Sequence, residues 1–345
     1  MREPRFWQLR RGNGFSIFPS LLAPFSYFWG AAGRLRRYYT TPETAAVPII
    51  CIGNLTVGGT GKTPLALTLA ERLIKSGEVV HFLTRGYGGS EHGPLQVDLS
   101  RDTAANVGDE PLLLAQIAPT WVAVDRAEGA AAAARSGARV IIMDDGFQNP
   151  SLKKDFSLLV VDAHAGLGNG RLVPAGPLRE RVADAIKRTS AVMIVGRGHA
   201  ADGLAARARN NGLPVFRAIL RATNAPDLDG KQVFAFSGIG RPEKFFATLK
   251  ELHAIVAGVQ EFPDHHMFTE ADAQRLLLRA RDLGATLVTT EKDRVRLRNA
   301  PEGSARARLR EATLIVPVRA LIAELGSLES LIRDAMMQSR HPRRR

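Results

Sequence analysis

A glycine-rich segment between an apolar run and a helix-forming run carries the clearest chemical signal in the chain. Residues 47–64 read V-P-I-I-C-I-G-N-L-T-V-G-G-T-G-K-T-P, so a β-branched strand leads into a loop ending in Gly61-Lys62-Thr63. Strand, glycine loop, Lys-Thr and helix form the layout of a phosphate-binding P-loop. The loop N–H groups and the helix N-terminus would face the phosphates. Lys62 would reach the β- and γ-phosphates, and the Thr63 hydroxyl would hold Mg²⁺.

The residues predicted to contact the nucleotide form one uninterrupted segment. They are Thr56, Val57, Gly58, Gly59, Thr60, Gly61, Lys62 and Thr63. The usual spacing places glycine at position 56, where this chain has threonine, so Gly58 and Gly59 are expected to supply the flexibility of the turn. A glycine turn before an ordinary helix is the simpler alternative. The strand in front and the Lys-Thr pair behind favour the P-loop.

Two adjacent carboxylates end a second apolar run. Asp144 and Asp145 follow V-I-I-M at 140–143, the pattern of a Walker B element that holds Mg²⁺ beside a P-loop. A single carboxylate at a strand end is commonly a cap. Two in succession, in a chain that already has a P-loop, favour a metal site.

A further acidic pair and a histidine pair are candidates for proton transfer. Asp109, in G-D-E-P, either caps the helix that begins near Pro111 or accepts the proton of an attacking hydroxyl. Glu110 either complements the helix dipole or joins the outer ligands of Mg²⁺. His265 follows Asp264 in a predicted loop, where adjacent histidines are usually solvated, and a catalytic role is the alternative.

Length and charge limit the class of protein. The 345 residues favour about two domains, and a composition that is 45% hydrophobic and 23% charged allows a substantial core. A net charge of +13 predicts acidic partners: phosphorylated substrates, anionic lipid or nucleic acid. No nucleic-acid-binding module is recognisable in the sequence, which disfavours the last of these. The single cysteine, Cys51, is predicted to be a buried small hydrophobe in a reducing compartment.

Apolar runs that alternate with helical segments predict the elements that position these side chains. Strands are expected at 47–52, 79–84, 121–124, 139–143, 156–161 and 191–195. The alternation is typical of a doubly wound parallel sheet, in which ligands bind beyond the carboxyl ends of the strands. The side chains that follow those ends, and so should share one edge of the sheet, are Lys62, Arg85, Asp109, Asp144 and Asp162.

A second α/β set follows a polar stretch at 210–224, where we place a domain boundary. The predicted fold class is therefore α/β: a P-loop NTPase-like doubly wound parallel sheet with a second, smaller α/β domain and an N-terminal membrane-interacting helix. The predicted divisions are an amphipathic segment at 1–40, the P-loop kinase domain at 41–215, the smaller α/β domain at 216–338 and a basic tail at 339–345.

The N-terminal segment has no charged residue from Gly12 to Gly33, although arginines flank it on both sides. A signal peptide, a transmembrane helix, an interfacial helix and a helix packed on the protein's own core are the four interpretations. Prolines and polar residues interrupt the run, which disfavours a span of about twenty apolar residues, and Pro24 should kink or divide the helix. An interfacial helix is favoured by the residues that share one helical face, which are Phe18, Leu21, Leu22, Phe25, Phe28 and Trp29.

A series of motifs along nearly the whole chain resembles the tetraacyldisaccharide 4′-kinase family of lipid A biosynthesis. The motifs are G-N-L-T-V-G-G-T-G-K-T-P at 53–64, T-R-G-Y-G-G at 84–89, G-D-E-P at 108–111, D-D-G-F-Q at 144–148, G-N-G-R-L-V-P-A-G-P-L-R-E at 168–180, F-S-G-I-G-R-P-E-K-F-F at 236–246, P-D-H-H at 263–266 and T-T-E-K-D at 289–293. The P-loop alone would not be specific, but the ordered set is.

The resemblance implies transfer of the ATP γ-phosphate to the 4′-hydroxyl of tetraacyldisaccharide 1-phosphate, which gives lipid IVA. ATP and Mg²⁺ are the implied cofactors. The implied partners are a phosphorylated glycolipid and an anionic membrane surface, with neither nucleic acid nor an obligate protein partner. The resemblance also implies a peripheral location on the cytoplasmic face of the bacterial inner membrane, and two domains that close around the nucleotide.

The resemblance assigns roles by motif. Lys62, Asp109 and His265 match catalytic residues, with Asp109 as the base and His265 supporting it. The metal ligands implied by motif or by position are Thr63, Asp144, Asp145 and Glu110. The acceptor would be contacted by Tyr87, Arg126, Gln148 and Asn169. Arg179 and Glu180 lie near the nucleotide and metal. Asn149 departs from the family, in which histidine is frequent after the Gln of D-D-G-F-Q.

Two other classes of protein are open on the residues alone. A soluble P-loop phosphotransferase or ligase acting on a small metabolite would not need the apolar N-terminal segment. A membrane-bound partitioning or targeting NTPase would act as a switch, and such proteins often carry K-G-G-x-x-K-[ST]. The first lysine of that pattern is Val57 here, which counts against the switch.

Overall fold

A nine-stranded, mostly parallel sheet forms the centre of the molecule. The computed structural model of the chain describes residues 4–8 and 18–340. In spatial order the strands are β13 (Val318–Ile322), β8 (Val215–Ala222), β7 (Ala191–Val195), β6 (Phe156–Asp162), β1 (Ile49–Asn54), β5 (Val140–Asp144), β2 (Val80–Thr84), β4 (Thr120–Val122) and β3 (Leu95–Gln96). Only the two edge pairings, β13 with β8 and β3 with β4, are antiparallel.

The central strands are buried on both faces, as parallel sheets require. Alternate residues of β1 enter opposite cores: Ile50 and Ile52 join the cluster under the helices at 62–75 and 325–340, whereas Ile49 and Cys51 join the cluster under the helices at 126–135, 182–186 and 202–210. Burial raises the pKa of the Cys51 thiol to about 12, so it stays protonated and packs as a small apolar side chain, as predicted.

Thirteen α-helices lie in the described part of the chain, after a 3₁₀ turn at Arg5–Trp7. They are α1 (Phe18–Leu21), α2 (Ala23–Tyr39), α3 (Lys62–Lys75), α4 (Ala104–Val107), α5 (Asp109–Leu114), α6 (Arg126–Arg135), α7 (Val182–Ile186), α8 (Asp202–Asn210), α9 (Pro242–Glu251), α10 (Glu270–Asp282), α11 (Glu291–Val295), α12 (Ala305–Ala312) and α13 (Leu325–Arg340).

A second sheet, of four parallel strands, is formed by the segment of the chain between β8 and β13. Its order is β10 (Ile255–Glu261), β9 (Gln232–Ser237), β11 (Thr286–Thr290) and β12 (Thr313–Val316). We call residues 223–317, which hold this sheet and α9 to α12, the smaller unit. The nine-stranded sheet and its helices are the larger unit.

The predicted domain boundary at 215/216 is wrong. Strand β8 pairs in parallel with β7, and β13 pairs antiparallel with β8, so both extend the larger sheet. Helix α13 also packs in the larger unit, where Leu328, Ile332 and Met336 enter the core beside β1 and β6. The polar stretch at 210–224 contains the end of α8 and strand β8 itself. The chain leaves the larger unit after Ala222 and returns at Val318.

Side-chain hydrogen bonds hold the N-terminal helices against the larger unit. The helix is interrupted at Leu22, between α1 and α2, and Pro24 lies in the first turn of α2. The predicted division of the helix near this proline is confirmed. The Ser26 hydroxyl donates to the Leu172 carbonyl at 2.8 Å, and Trp29 Nε1 donates to the Arg179 carbonyl at 3.1 Å. The N-terminal arginines at 10 and 11 lie outside the described residues, as does the predicted tail from 341 onward; residues 339 and 340 end α13.

Large apolar side chains cover the outer face of these helices. Phe28 is 76% exposed, and the other exposed aromatic and aliphatic side chains are Phe18, Leu21, Phe25, Tyr27, Trp29, Leu35, Tyr38 and Tyr39. Leu22, predicted on the same face, is partly buried. None of the helices described at 4–8 and 18–340 is long and apolar enough to cross a bilayer.

Candidate active site

The glycine loop after β1 is braced by the segment 177–180. The Val57 N–H donates to the Pro177 carbonyl at 2.9 Å, Thr56 forms an antiparallel bridge with Leu178, and the Arg179 N–H donates to the Leu55 carbonyl at 2.7 Å. Thr56 is not among the described residues with positive φ. Because its backbone is held extended by this bridge, the position does not need the glycine of the usual P-loop pattern.

The rest of the loop presents unpaired polar groups. Among the described residues, the N–H groups of Gly58, Gly59, Thr60 and Gly61 donate to no protein acceptor. The buried hydroxyl of Thr60 also has no partner. Gly61 adopts φ 85° at the N-cap of α3, a left-handed conformation that only glycine takes without strain. Free N–H groups at a helix N-terminus form a site for phosphate oxygens.

Strand β5 delivers Asp144 beside this loop. It pairs in parallel with β1, with Asp144 opposite Ile52. The Thr63 hydroxyl donates to Asp144 Oδ2 at 3.2 Å, whereas the buried Oδ1 has no partner. Burial raises the pKa of Asp144 to about 7 against the opposing charge of Lys62, because the carboxylate has lost water without gaining enough donors. An orphaned carboxylate oxygen next to a Thr hydroxyl fits Mg²⁺, which prefers oxygen ligands.

The neighbouring carboxylate has the opposite electrostatic character. Asp145 adopts φ 51°, which turns its side chain toward Lys62 Nζ at 3.6 Å and Arg179 Nη1 at 3.1 Å. Burial opposes its ionisation, but the charges of Lys62 and Arg179 hold the pKa of Asp145 below its ordinary value. The two aspartates of the predicted Walker B pair therefore differ: Asp145 is already neutralised by cations and Asp144 is not.

A buried carboxylate links this region to helix α2. Glu180 is 2% exposed and accepts from Arg188 and from Gln148 Nε2, the latter at 3.2 Å, and Arg37 of α2 lies 3.4 Å away. Gln148 Nε2 also donates to the Asn54 carbonyl at 2.8 Å. The D-D-G-F-Q turn, the P-loop strand and the N-terminal helix are thus held in one polar network.

The Asn149 side chain, at the position where histidine is frequent in the family, is used within its own loop. Its side-chain oxygen accepts from both the N–H and the hydroxyl of Ser151, each at 3.0 Å. This is a local Asx turn, which uses the side chain to shape the loop.

The Asp109 carboxylate is the centre of a second cluster, in which both units take part. It lies at the start of α5 and is 3% exposed. Its Oδ2 accepts from His265 Nδ1 at 3.0 Å and from Arg296 Nε at 3.0 Å, and Lys292 Nζ lies 3.8 Å away. Burial opposes ionisation, but His265, Lys292 and Arg296 together hold the pKa of Asp109 well below its usual range. The Asp109 carboxylate is therefore ionised in this structure.

The partner of Glu110 is a lysine of the smaller unit. Lys292 Nζ lies 2.7 Å from Glu110 Oε1. Glu110, Asp109 and His265 also present one ligand atom each within 4.8 Å of one another, a spacing that could hold a cation. Since Lys292 already neutralises Glu110, Thr63 and Asp144 are the better-suited oxygen ligands.

The four predicted acceptor contacts differ in how far each side chain is already used within the protein. Tyr87 is exposed and its ring lies 5.9 Å from that of His265, and Gln148 lies in the network beside Asp145. The Asn169 side chain is used internally: its amide donates to the carbonyls of Phe6 and Ala175, and its oxygen accepts from the Arg171 N–H.

Arg126 is also buried, and its Nη1 donates to the carbonyls of Ala123 and Val124, although its Nε has no partner. Burial and the nearby charge of Arg85 lower the pKa of Arg126 to about 10.

Sequence reasoning did not select Lys292 and Arg296 as site residues. Lys292 lies in the first turn of α11 and Arg296 directly follows its last residue. Because the two are four residues apart, they lie on the same face of the helix. The T-T-E-K-D motif contained Lys292, but the sequence offered no sign that it faces Asp109 from another unit. A basic residue one helical turn beyond a charged motif was the only available signal.

Comparison with known proteins agrees with this geometry. The family model described as Tetraacyldisaccharide-1-P 4′-kinase (LpxK) matches residues 18–337. A protein named tetraacyldisaccharide 4′-kinase from Parvibaculum lavamentivorans is 63% identical over 99% of this chain and 99% of its own. A protein of the same name from Rhodospirillum centenum is 52% identical over 89% of this chain and 91% of its own.

A solved structure extends the comparison to the fold. The chain is similar to LpxK from Aquifex aeolicus, which was crystallised in complex with ATP. The TM-score is 0.70 at 26% identity, and the match covers 92% of this chain and 99% of that one. The family match and the near full-length relatives show that the chain belongs to the tetraacyldisaccharide-1-P 4′-kinase family.

Proposed function

We propose that this protein transfers the γ-phosphate of ATP to the 4′-hydroxyl of tetraacyldisaccharide 1-phosphate, giving lipid IVA and ADP. The observation that carries the proposal is the pairing of a P-loop and an orphaned metal-binding carboxylate with a separate, buried and ionised Asp109. A switch NTPase needs the first two, whereas a kinase also needs a base for its hydroxyl acceptor.

The phosphates of ATP would lie on the free N–H groups of residues 58–61, with Lys62 against the β- and γ-phosphates. The residues proposed to contact the nucleotide are those of the whole predicted segment, 56–63. Thr63 and Asp144 would hold Mg²⁺, and Asp145 and Glu110 would lie around it. The metal, when bound, neutralises charge on the β- and γ-phosphates.

The transfer step needs a positioned base because a sugar hydroxyl is a weak nucleophile. The acceptor oxygen would bond to the γ-phosphorus as its proton passes to Asp109, and the bond from the γ-phosphorus to the β-phosphate oxygen would break to release ADP. Positioning and charge neutralisation supply most of the acceleration in such reactions. Lys62 and Arg179 are the cations closest to the Walker B carboxylates.

The acceptor would approach past Tyr87, whose exposed ring lies beside His265. Gln148 lies beside Asp145, but its Nε2 already donates to the Asn54 carbonyl and to Glu180. Arg126 and Asn169 could contact the acceptor only if they gave up the backbone hydrogen bonds they make here. We therefore propose direct contact with the acceptor for Tyr87, and for Gln148, Arg126 and Asn169 a role in shaping the loops that the acceptor passes.

We also propose that α1 and α2 bind the cytoplasmic face of the inner membrane, with the protein held there as a peripheral enzyme. The support is the apolar outer face of these helices, followed by the exposed arginines 34 and 36. Aromatic side chains insert into the interface, and each arginine near an anionic surface contributes about 1 kcal/mol.

Vesicle binding tests this location. The full chain should sediment with phosphatidylglycerol vesicles, and the combined variant Phe25→Ser and Phe28→Ser should bind at least tenfold more weakly. Replacing the buried-side Ser26 of the same helix is unsuitable as a control because it docks the helix, so Leu278→Ser on α10, an equally exposed apolar site, serves instead. Unchanged binding by the double variant would contradict the interfacial helix.

The reaction is tested by transfer of radiolabelled γ-phosphate from ATP and Mg²⁺ to tetraacyldisaccharide 1-phosphate in detergent micelles. Wild-type protein should label the lipid, and Lys62→Ala should not. Asp109→Asn should lower turnover by about 10²–10⁴-fold, the usual contribution of a general base. Folded protein that binds ATP but labels no lipid would refute the proposed acceptor and favour a switch NTPase.

A further inference from the structure

The two oxygens of the Asp109 carboxylate have different surroundings. Oδ2 receives His265 Nδ1 and two nitrogens of Arg296, with Lys292 Nζ near it, so every one of these donors comes from the smaller unit. Within residues 4–8 and 18–340, Oδ1 accepts only the N–H of the next residue, Glu110, at 3.1 Å. One oxygen is anchored from the second unit and the other retains a free lone pair.

Arg296 is itself held rigidly. Its side chain is fully buried, and Nη1 donates to the Gly238 carbonyl at 2.7 Å and to Asp293 Oδ1 at 2.8 Å. Asp293 is fixed in turn by the Ser237 and Thr290 hydroxyls at 3.1 and 2.7 Å. The guanidinium plane is thus set by β9 and by the turn that begins α11, while Nε and Nη2 point at Asp109 of α5.

The contact between the units lies beside a buried apolar cluster. Val295, the residue before Arg296, packs among Val107, Leu112 and Val122 of the larger unit. A charge pair in such surroundings is screened little by water, so its geometry is well defined. Two N–H groups of one rigid guanidinium converge on Asp109 Oδ2 and fix where that oxygen lies, whereas a lysine ammonium on a flexible stem is a single point charge.

We propose that Arg296 is a positioning residue for phosphoryl transfer: it clamps Asp109 through Oδ2, so that Oδ1 is the atom that accepts the proton of the acceptor hydroxyl. The smaller unit thereby completes the base, and Asp109 is correctly oriented only while the two units are in contact. This inference rests on the proposed kinase function and adds to it a residue and a coupling between the units.

The alternative is that Arg296 only holds the two units together. The two roles predict different kinetics. A clamp on the base acts in the chemical step, so its loss should lower kcat and leave the KM for ATP and for lipid nearly unchanged. Misplacement of a catalytic group by about 1 Å costs about 10²-fold in rate. Loss of a purely structural contact would change stability, or both KM values, instead.

The experiment compares Arg296→Met and Arg296→Lys with Arg298→Met. Arg298 is a matched control because its Nε donates to the Leu99 carbonyl of the larger unit at 2.8 Å without touching Asp109. Arg296→Met should lower kcat about 10- to 100-fold, Arg296→Lys should recover part of it, and Arg298→Met should change it less than twofold. Equal kcat in wild type and Arg296→Met would overturn the proposal.

A double-mutant cycle with Asp109→Asn separates action through Asp109 from independent action. In the Asp109→Asn background, Arg296→Met should have no further effect on kcat, because the group it positions can no longer act as a base. Effects that multiply would show that Arg296 acts elsewhere and would overturn the proposal. If Arg296→Met does not fold, Arg296→Lys and Arg296→Gln enter the same cycle.

The outcome is distinguishable from failure of the proposed function. Wild-type protein that labels no lipid would refute the acceptor, and the same cycle would then be run on hydrolysis of ATP, where water is the acceptor that Asp109 must orient. Dependence of that hydrolysis on Arg296 only when Asp109 is present would sustain the clamp. Arg296→Met could instead lower ATP hydrolysis by the same factor in the wild-type and the Asp109→Asn backgrounds, or in neither of them. Either result would overturn the proposed positioning role of Arg296.

Discussion

Replacing Asp144 by asparagine should stabilise the metal-free protein while abolishing phosphoryl transfer. The carboxylate is buried, its Oδ1 has no partner, and burial raises its pKa from 3.8 to about 7. The folded protein therefore binds this proton more tightly than the unfolded chain does. The contribution of this carboxyl to stability is largest below pH 3.8 and is lost as the pH rises to about 7.

The size of the effect follows from those two values. At about 1.36 kcal/mol for each unit of pKa, the raised pKa of Asp144 lowers the free energy of unfolding by about 4 kcal/mol at pH 8 and by about 2 kcal/mol at pH 5, relative to its value below pH 3.8. The unfolding entropy is about 2.1 cal/mol/K per residue, or about 0.7 kcal/mol/K for this chain. Asp144→Asn should therefore raise Tm by up to about 6 °C at pH 8, and by about half of that at pH 5.

The assay is thermal unfolding with EDTA at both pH values, followed by unfolding with Mg²⁺ and ATP. Wild type should gain more from Mg²⁺ and ATP than the variant, since ligands stabilise the state that binds them. Asp145→Asn is the matched control, and it should lower Tm because cations hold the pKa of Asp145 down. An Asp144→Asn protein that melts at or below the wild-type temperature at pH 8, or whose difference does not change with pH, would refute the reasoning.

Two further substitutions test contacts around the site. Asp162→Asn should lower the free energy of unfolding by about 1.5–3 kcal/mol, because the buried carboxylate binds Lys244 of the smaller unit; urea unfolding measures this. Gly53→Ala should lower the free energy of unfolding by about 1–3 kcal/mol, because the added Cβ would lie 2.4 Å from the Cβ of Phe147 in the turn that follows Asp144. The melting temperature measured by calorimetry and the labelling of lipid should both fall.

Matched controls exist for both substitutions. Asp202→Asn removes an exposed carboxylate that also pairs with an arginine, and it should change stability little. A result equal to that of Asp162→Asn would mean that burial of the Asp162 pair does not matter. Gly203→Ala adds a Cβ that meets nothing within 4 Å, and it should be neutral or stabilising. A tolerated Gly53→Ala would mean that the 144–148 turn is free to shift.

Sequence periodicity predicted the local elements well. Strand β7 has the predicted bounds of 191–195, and α10 begins after Thr269, which forms a capping box with Asp272. These elements are determined locally: an apolar run bounded by turns makes a buried strand, and Thr with an acidic residue three positions later satisfies the first N–H groups of a helix. The order P-loop, then Walker B, likewise predicted that β5 would lie beside β1.

The sequence by itself determined the family that the chain resembles and predicted which residues are suited to phosphate chemistry, because glycine conformation, helix N-termini and strand-end carboxylates are properties of short segments. Tertiary structure alone decided that β8 and β13 extend the larger sheet, that Asn169 is used by backbone groups, and that Arg296 clamps Asp109. Residues 109 and 296 are far apart in the chain, and no local pattern encodes which residue of one unit meets a buried carboxylate of another. That choice depends on how the two units pack, since a buried charge is stable only where packing brings it a partner.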